Sequence, residues 1–267
     1  MPPAPSRSAA PTSAADAAPP LPDDGILYEL AYYPDVAPDQ LLLDFLTTLV
    51  DPFAREGRVL DCACGTGEPM LWLADRYSMC LSDASADMLR VTQAKVHQRG
   101  LNGVTVRRAE WTALPDVFHE PFDAVLCTGN ALARSLTLRA RREALDGMCS
   151  VMRPGGLLYL DFREDFEELP TGRSSLTEVA GPVEWEGLEL AVLIHETRVA
   201  PHVRRTKDLY LTEPGRVSLQ RTVTSEYLSF SRSEILADLL ATGFGEPTFH
   251  ARPGRWPMAA ITAIRSA

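Results

Sequence analysis

The sequence predicts an α/β fold with a doubly wound, mostly parallel sheet and a later antiparallel insertion. Short apolar runs alternate with amphipathic helical segments from residue 40 to about 165, which is typical of successive β-α-β units. Glycines at the turn between the first such run and the next helix favour the same arrangement. From about residue 180, polar and apolar residues alternate over long runs, as in antiparallel strands with one solvated face.

Length and composition set the domain organisation. The chain has 267 residues, 45% of them apolar, which is enough to bury a sizeable core. Residues 1–25 are mainly Pro, Ala and Ser and offer little to bury, so we expect a disordered tail there. We expect residues 26–267 to form one domain. Within it, the insertion at 176–230 is expected to cover the substrate or to form a homo-oligomer interface.

Charge and cysteine usage exclude several classes of protein. The formal net charge of −10 argues against a nucleic-acid partner, because phosphate binding requires a basic face. No apolar run approaches the roughly 18 residues of a membrane-spanning helix, and the start has no signal-peptide pattern. Five cysteines, at positions 62, 64, 80, 127 and 149, have no CxxC or metal-ligand spacing. We therefore expect buried thiols, no metal, no membrane association and a cytoplasmic location.

The segment 26–50 precedes the first strand. It carries Tyr28, Tyr32 and Tyr33, which pack against the sheet or close a site. A helix follows with Leu42 and Leu46 on one face.

The stretch from Arg58 to Asp83 contains the first strand, a glycine turn and the second strand. The spacing also predicts a helix from Pro69 to Arg76 between them, because proline suits the first helical turn. Gly65 and Gly67 allow a ligand to approach the main chain closely, and the free N–H groups of the helix start would face it.

Three positions limit the class of ligand that this turn can bind. Met70 stands where a dinucleotide fingerprint has its third glycine, which disfavours an NAD-dependent oxidoreductase. Asp61 is suited to receive an ammonium group. Asp83, 16 residues past Gly67, is suited to accept the two hydroxyls of a ribose. The pattern indicates a ligand with a ribose and a charged amino group but no diphosphate.

The remaining parallel strands end in polar residues. After a helix capped by Ser85, the third strand leads to residues 109–111, and the fourth leads to Gly129 and Asn130. The fifth strand ends at Asp161 and is followed by Arg163. Because ligands bind beyond the carboxyl ends of the strands in open α/β sheets, chemistry is expected near Asn130.

The helix between the fourth and fifth strands is amphipathic. It carries Arg139, Arg141 and Arg142, which we interpret as a solvated face.

The residues of the first turn also resemble a known family motif. Asp61-x-Ala63-x-Gly65-x-Gly67, followed by Asp83, resembles motif I and the acidic residue of class I S-adenosylmethionine-dependent methyltransferases. The resemblance implies their Rossmann-like fold with a seven-stranded sheet, and S-adenosylmethionine as cofactor.

Two further segments are similar to one group within that class. Residues 127–133, CTGNALA, and 152–163, MRPGGLLYLDFR, are similar to the glycine/sarcosine N-methyltransferases, whose pattern runs GNSFAH and then RPGGLL-x-x-D-x-R. This chain departs from the pattern at Arg134, where the group has His, and at residues 164–166, where Glu-Asp-Phe replaces Asn-Tyr-Asp. Arg134 either favours a more acidic substrate or forms a salt bridge with Glu164.

Together, the pattern and the resemblance give a set of candidate site residues. Those expected to bind the cofactor are Tyr32, Asp61, Ala63, Gly65, Gly67, Asp83, Ala84, Met88, Ala109, Glu110, Trp111, Cys127 and Asn130. Asn130 and Arg163 are the expected catalytic residues, with Asn130 orienting the lone pair of an amine. Tyr28, Arg134 and Arg163 are the expected substrate residues. The resemblance implies that Arg163 holds a carboxylate, whereas its sequence context alone favours a structural ion pair.

The resemblance implies a small-molecule methyltransferase that acts on the nitrogen of an amino acid or a related amine with an anionic group. Two alternatives stay open. One is O-methylation of a hydroxyl, carboxylate or phosphonate of a specialised metabolite. The other is a cofactor-binding protein without catalysis, because the same fold supports many functions.

Overall fold

The computed structural model describes residues 21–33, 37–164, 168–169, 171–254 and 258–267. Residues 1–20 of the expected tail and positions 165 and 166 lie outside them. The first helix begins at Asp24, two residues before the expected domain boundary at Ile26. The helix starts early because the side chain of Asp23 caps it, accepting a hydrogen bond from the N–H of Ile26 at 3.0 Å.

The regular elements follow the order that the sequence predicts. The α-helices are α1 (Asp24–Tyr32), α2 (Gln40–Ala54), α3 (Ala86–Gln98), α4 (Leu114–Val117), α5 (Leu138–Ser150) and α6 (Arg232–Ala241). The strands are β1 (Arg58–Asp61), β2 (Ser78–Asp83), β3 (Thr105–Arg108), β4 (Phe122–Cys127), β5 (Met152–Phe162), β6 (Ser174–Trp185), β7 (Leu188–Val199), β8 (His202–Glu213), β9 (Arg216–Leu228), β10 (Thr248–Arg252) and β11 (Met258–Ile264).

Among the described residues, seven strands form one sheet in the order β10-β11-β5-β4-β1-β2-β3. Strands β1 to β5 are parallel, and β11 pairs antiparallel with both β5 and β10. One apolar core lies on each face of this sheet, which explains why β4 is a nearly continuous apolar run. The predicted doubly wound, mostly parallel seven-stranded fold is confirmed.

Strands β6 to β9 form a second, antiparallel sheet between β5 and α6. Its inner face carries Leu190, Val192 and Leu209, which pack with Leu27 and Leu30 of α1. The predicted antiparallel insertion after strand five is confirmed. Helix α1 and this sheet together form what we call the roof, because they lie over the carboxyl ends of β1, β4 and β5.

The prediction of a helix from Pro69 to Arg76 is wrong. A 3-10 helix occupies only Met70–Leu73. Hydrogen bonds from the Trp72 N–H to the Pro69 carbonyl and from the Arg76 N–H to the Leu73 carbonyl span three residues each. The connection to β2 is short, and it buries Met70 and Leu73 within that single tight turn.

The interpretation of the arginine cluster on α5 as a solvated face is wrong for Arg141. This side chain is only 2% exposed, and its Nε donates to Asp238 Oδ2 of α6 at 2.6 Å. Arg142 donates to the other oxygen of Asp238 at 2.7 Å. Arg139 is exposed and pairs with Glu143 one turn along the helix. The periodicity of α5 alone does not reveal that α6 covers part of its polar face.

Within the described chain, no helix has both the length and the apolar character to span a membrane.

Candidate active site

A cavity of about 570 Å³ lies between the carboxyl ends of β1, β4 and β5 and the roof. Its floor consists of Ala63, Cys64, Gly65, Thr128, Gly129, Asn130, Asp161 and Arg163. The roof contributes Tyr28, Tyr32, Tyr33, Thr177, Glu178, Ile194, Arg205 and Tyr227. Glu29, Asp39, Glu68, Trp72, Lys95, Arg252 and Met258 are among the residues of the side wall. The cavity is therefore where the sequence places the chemistry, with additional residues from the roof.

The glycine turn after β1 presents main chain to this cavity. Gly65 has a φ of 53°, and a Cβ placed on it would approach Tyr28 Cε1 at 3.9 Å and nothing closer. The Asp83 carboxylate holds the turn by accepting the N–H groups of Gly65 and Ser85, both at 2.9 Å. Thr92 of α3 donates to the Gly65 carbonyl at 2.8 Å. The turn is thus fixed by β2 and α3 and is open on its cavity side.

Asp61 is a carboxylate buried beneath this turn. It is 1% exposed, and its Oδ1 accepts the N–H of Ala63 at 3.0 Å. Burial, together with the charges of Asp83 and Asp161, raises the pKa of Asp61 to about 8. No Lys or Arg in the described part of the chain forms an ion pair with it. A bound ammonium group near Asp61 would supply the missing positive charge.

Asn130 occupies the turn after β4. Its φ of 60° is left-handed, its N–H donates to Asp161 Oδ1 at 3.0 Å, and its Oδ1 accepts the N–H of Arg163 at 3.0 Å. The Nδ2 group is buried and has no hydrogen-bond partner within the described residues. Asn130 therefore offers a ligand its Nδ2 donor and the second lone pair of Oδ1, and its role in orienting an amine stays a prediction.

Arg163 is both a cavity residue and a member of an ion pair. Its Nη1 donates to Oε1 of Glu196 at 2.7 Å, and Glu196 is fully buried on β7. The Nε of Arg205 donates to the same oxygen, also at 2.7 Å. The two possibilities for Arg163, a structural ion pair and a position facing the ligand, are thus compatible in this fold.

The roof presents aromatic and basic side chains to the cavity. The rings of Tyr28 and Tyr32 lie 4.7 Å apart, and Lys207 Nζ is 5.1 and 5.0 Å from their centroids. Arg205 donates to the Tyr32 hydroxyl at 3.2 Å. Burial raises the pKa of Tyr32 to about 12, and burial lowers the pKa of Lys207 to about 8.

Ten of the candidate residues from the sequence lie off the cavity wall. They are Asp61, Gly67, Asp83, Ala84, Met88, Ala109, Glu110, Trp111, Cys127 and Arg134. The indole N–H of Trp111 donates to the Cys62 carbonyl at 2.9 Å, and Ala109 donates to the Asp83 carbonyl at 3.2 Å. Glu110 is exposed. The assignment of Arg134 to the substrate and of the other nine residues to the cofactor stays a prediction. The salt bridge offered as an alternative for Arg134 is wrong, because its expected partner Glu164 pairs with Arg232.

Sequence reasoning missed the polar residues of the roof. Glu196 continues a face of β7 that otherwise carries Leu190, Val192 and Ile194, and Arg205 lies in the matching position on β8. A charged residue at an inward position of an alternating strand was the available signal. Arg252, whose Nε lies 3.0 Å from Asp161 Oδ2, comes from β10 and has no local signal.

Part of the chain is similar to proteins of a known family. Residues 59–156 match the family model described as a methyltransferase domain. Rabbit (Oryctolagus cuniculus) glycine N-methyltransferase is 34% identical over 144 residues, which are 48% of this chain and 49% of the relative. Glycine/sarcosine N-methyltransferase of Parasynechococcus marenigrum is 31% identical over 140 residues, 52% and 48% of the two chains. The chain spans about half the length of these curated relatives.

Solved structures resemble nearly the whole fold. The S-adenosylmethionine-bound amino pentose methyltransferase CalS10 of Micromonospora echinaspora has a TM-score of 0.71 and 22% identity, covering 94% of this chain and 100% of its own. The sugar N-methyltransferase KedS8 of a Streptoalloteichus species has a TM-score of 0.72 and 22% identity, covering 97% and 100%. At this identity the likeness shows the fold. The chain therefore carries a methyltransferase domain on the Rossmann-like fold of the S-adenosylmethionine-dependent methyltransferases, and over that domain it resembles the glycine/sarcosine N-methyltransferase group.

Proposed function

We propose that this protein is an S-adenosylmethionine-dependent methyltransferase that methylates the nitrogen of an amino acid or a related amine with an anionic group. The observation that carries the proposal is the cavity itself. It joins the open turn at Gly65, the donor of Asn130 and the guanidinium groups of Arg163 and Arg205. These groups suit the cofactor and an amine acceptor, each of which carries both a positively charged group and an anionic group.

The floor of the cavity fits the cofactor. Asp61, which lies behind the cavity wall at Ala63, has no cation in the described chain, and the Nδ2 of Asn130 has no acceptor there. An ammonium group and a carboxylate on the same ligand would satisfy both. Each oxygen of Asp83 accepts one N–H and retains a lone pair for a ribose hydroxyl. The bound cofactor supplies a methyl group on a positively charged sulfur.

The roof fits the acceptor. Methyl transfer from a sulfonium is an in-line displacement, so the protein contributes mainly orientation and a deprotonated nucleophile. Arg163 and Arg205 share Glu196 and line the cavity, and the planar guanidinium groups at this wall suit an anionic group of the acceptor. Tyr28, over the Gly65 turn, limits how the acceptor enters.

The names of the relatives favour nitrogen as the acceptor atom. The sequence relatives are named for glycine and sarcosine, and the two solved structures for an amino pentose and for sugar N-methylation. All of these acceptors are small amines. Amino acids and amino sugars are accordingly the first acceptors to test.

The test is transfer of label from S-adenosylmethionine to a panel of acceptors. The panel contains glycine, sarcosine, larger amino acids and their amides, amino sugars, phenols and phosphonates. Transfer to an amine nitrogen, faster for the amino acid than for its amide, supports the proposal. Transfer only to oxygen would replace it with O-methylation, and binding without any transfer would favour a non-catalytic protein.

Variants at the two asparagines of the chain provide the matched control. Asn130→Ala removes a buried donor and is expected to lower kcat/KM about 10- to 100-fold, the equivalent of a lost buried hydrogen bond of about 1–3 kcal/mol. Asn102→Ala removes the same amide from an exposed turn, and its kcat/KM should equal that of the wild type.

A further inference from the structure

Tyr227 is a buried tyrosine at the wall of the proposed active site. It lies near the end of β9, is 7% exposed and lines the same cavity as Asn130. Strand β9 contacts the 3-10 helix Ala131–Arg134, which directly follows Asn130. The tyrosine therefore stands where the roof meets the turn expected to carry the chemistry.

Three basic side chains face Tyr227 from two elements. Arg205 of β8 has its guanidinium carbon 5.0 Å from the ring centroid. The guanidinium carbon of Arg134 is 5.7 Å from that centroid, and its positive charge acts on the Tyr227 hydroxyl. Lys207, two residues along β8 from Arg205, is the third. The other titratable groups in this region are Asp24, Tyr28 and Tyr32 of α1, Glu178 of β6, Arg163 after β5, and Glu196 of β7 behind Arg205; the Asp24 carboxylate acts on Lys207.

Among the described residues, only one of the three cations around Tyr227 forms an ion pair with a carboxylate. Glu196 serves both Arg163 and Arg205. Lys207 is buried and Arg134 is exposed, and neither forms an ion pair with a carboxylate of the described chain. Although burial raises the pKa of Tyr227, the charges of Arg205, Lys207 and Arg134 outweigh it and lower that pKa.

We propose that Tyr227 is the proton acceptor for the amine, and that Arg134, Arg205 and Lys207 are positioning residues that hold it as a phenolate. The inference rests on the proposed function, because it requires an amine acceptor. The proton moves from the acceptor ammonium to the phenolate oxygen. The freed lone pair on nitrogen then forms the N–C bond to the methyl group, while the C–S bond breaks and its electron pair stays on sulfur. Tyr227 afterwards releases the proton to solvent.

The first test needs no substrate. The ultraviolet difference titration of the wild type against Tyr227→Phe isolates one of the seven tyrosines of the chain. We expect a phenol that titrates below the ordinary tyrosine value of about 10. Arg134→Gln removes a neighbouring cation and should move that titration to higher pH, whereas Arg139→Gln on the exposed face of α5 should not. A phenol that titrates at or above about 10, or one that Arg134→Gln leaves in place, overturns the inference.

The second test is the pH profile of kcat/KM with the best amine from the acceptor panel. Tyr227→Phe should lower kcat/KM by about 100-fold or more on the plateau and leave the affinity for S-adenosylhomocysteine unchanged. Arg134→Gln should displace the acid limb to higher pH, the direction that its titration shows. If Tyr227→Phe retains the wild-type profile, Tyr227 is structural, although methylation stands as the function. If no amine is methylated, both proposals fail.

Discussion

Asp61 should make cofactor binding depend on pH. The carboxyl is 1% exposed, its pKa is raised to about 8, and the described chain supplies it with no cation. Asp161, a buried carboxylate of the cavity floor, already has Arg252 at 3.0 Å. A ligand ammonium favours the ionised form of Asp61, so binding lowers the pKa and releases a proton. Affinity therefore rises with pH and levels off above about 8.

The size of the effect on affinity follows from the size of the shift in the pKa of Asp61. A cation placed within about 4–6 Å lowers the pKa of a carboxyl by roughly one to three units, which corresponds to a gain of about 10- to 1,000-fold in affinity. With a pKa of about 8 in the free protein, a three-unit shift changes the affinity about tenfold between pH 6 and 7, and a one-unit shift changes it about twofold. Asp61→Asn should remove this dependence and lower the affinity at pH 8 by the same 10- to 1,000-fold, to within an order of magnitude.

Isothermal titration calorimetry with S-adenosylhomocysteine measures both quantities. Titrations in two buffers of different ionisation enthalpy should show release of about 0.4 to 0.9 proton per site at pH 7, for a pKa shift of roughly one to three units. Methylthioadenosine, which lacks the amino acid group, should bind with no proton release. Asp51→Asn is the matched control variant, because Asp51 pairs with Arg76 and its pKa is lowered to about 2.

Two results would refute the reasoning about Asp61. One is an affinity for S-adenosylhomocysteine that stays constant between pH 6 and 8 in the wild type. The other is an Asp61→Asn variant that retains the pH dependence, which would assign the proton to another group of the site.

Two further predictions concern the ion pairs. Arg163→Lys keeps the charge but loses the planar fork, so KM for the acceptor should rise while calorimetry shows unchanged affinity for S-adenosylhomocysteine; an equal loss of both would mean a structural role. Asp238→Ala leaves Arg141 buried without a counterion, and urea denaturation should show a loss of about 3–5 kcal/mol in the free energy of unfolding. Arg139→Ala breaks only an exposed pair and should change that free energy by less than about 0.5 kcal/mol, so a comparable loss in both variants would contradict the assigned role of the buried pair.

The parallel part of the fold was predictable because its signals are local. Gly65 needs a left-handed backbone, Ser85 caps α3 through its hydroxyl, and the apolar run that ends β4 is followed directly by polar residues. The short connection at residues 69–76 was predicted wrongly because helical propensity does not register how little chain is available before β2. The buried state of Arg141 was missed because its partner Asp238 is 97 residues away.

The sequence by itself determined the order of the strands along the chain, the ligand turn after β1, and the positions of Asn130 and Arg163 beyond two strand ends. These follow from backbone conformation and from residue periodicity, which act over a few residues. Only the tertiary structure decided which way Asn130 points its amide, that Arg163 shares Glu196 with Arg205, and that Tyr227 stands among three basic side chains. Those contacts join residues that are far apart in the sequence. The side chains meet and become buried only when the second sheet packs over the first.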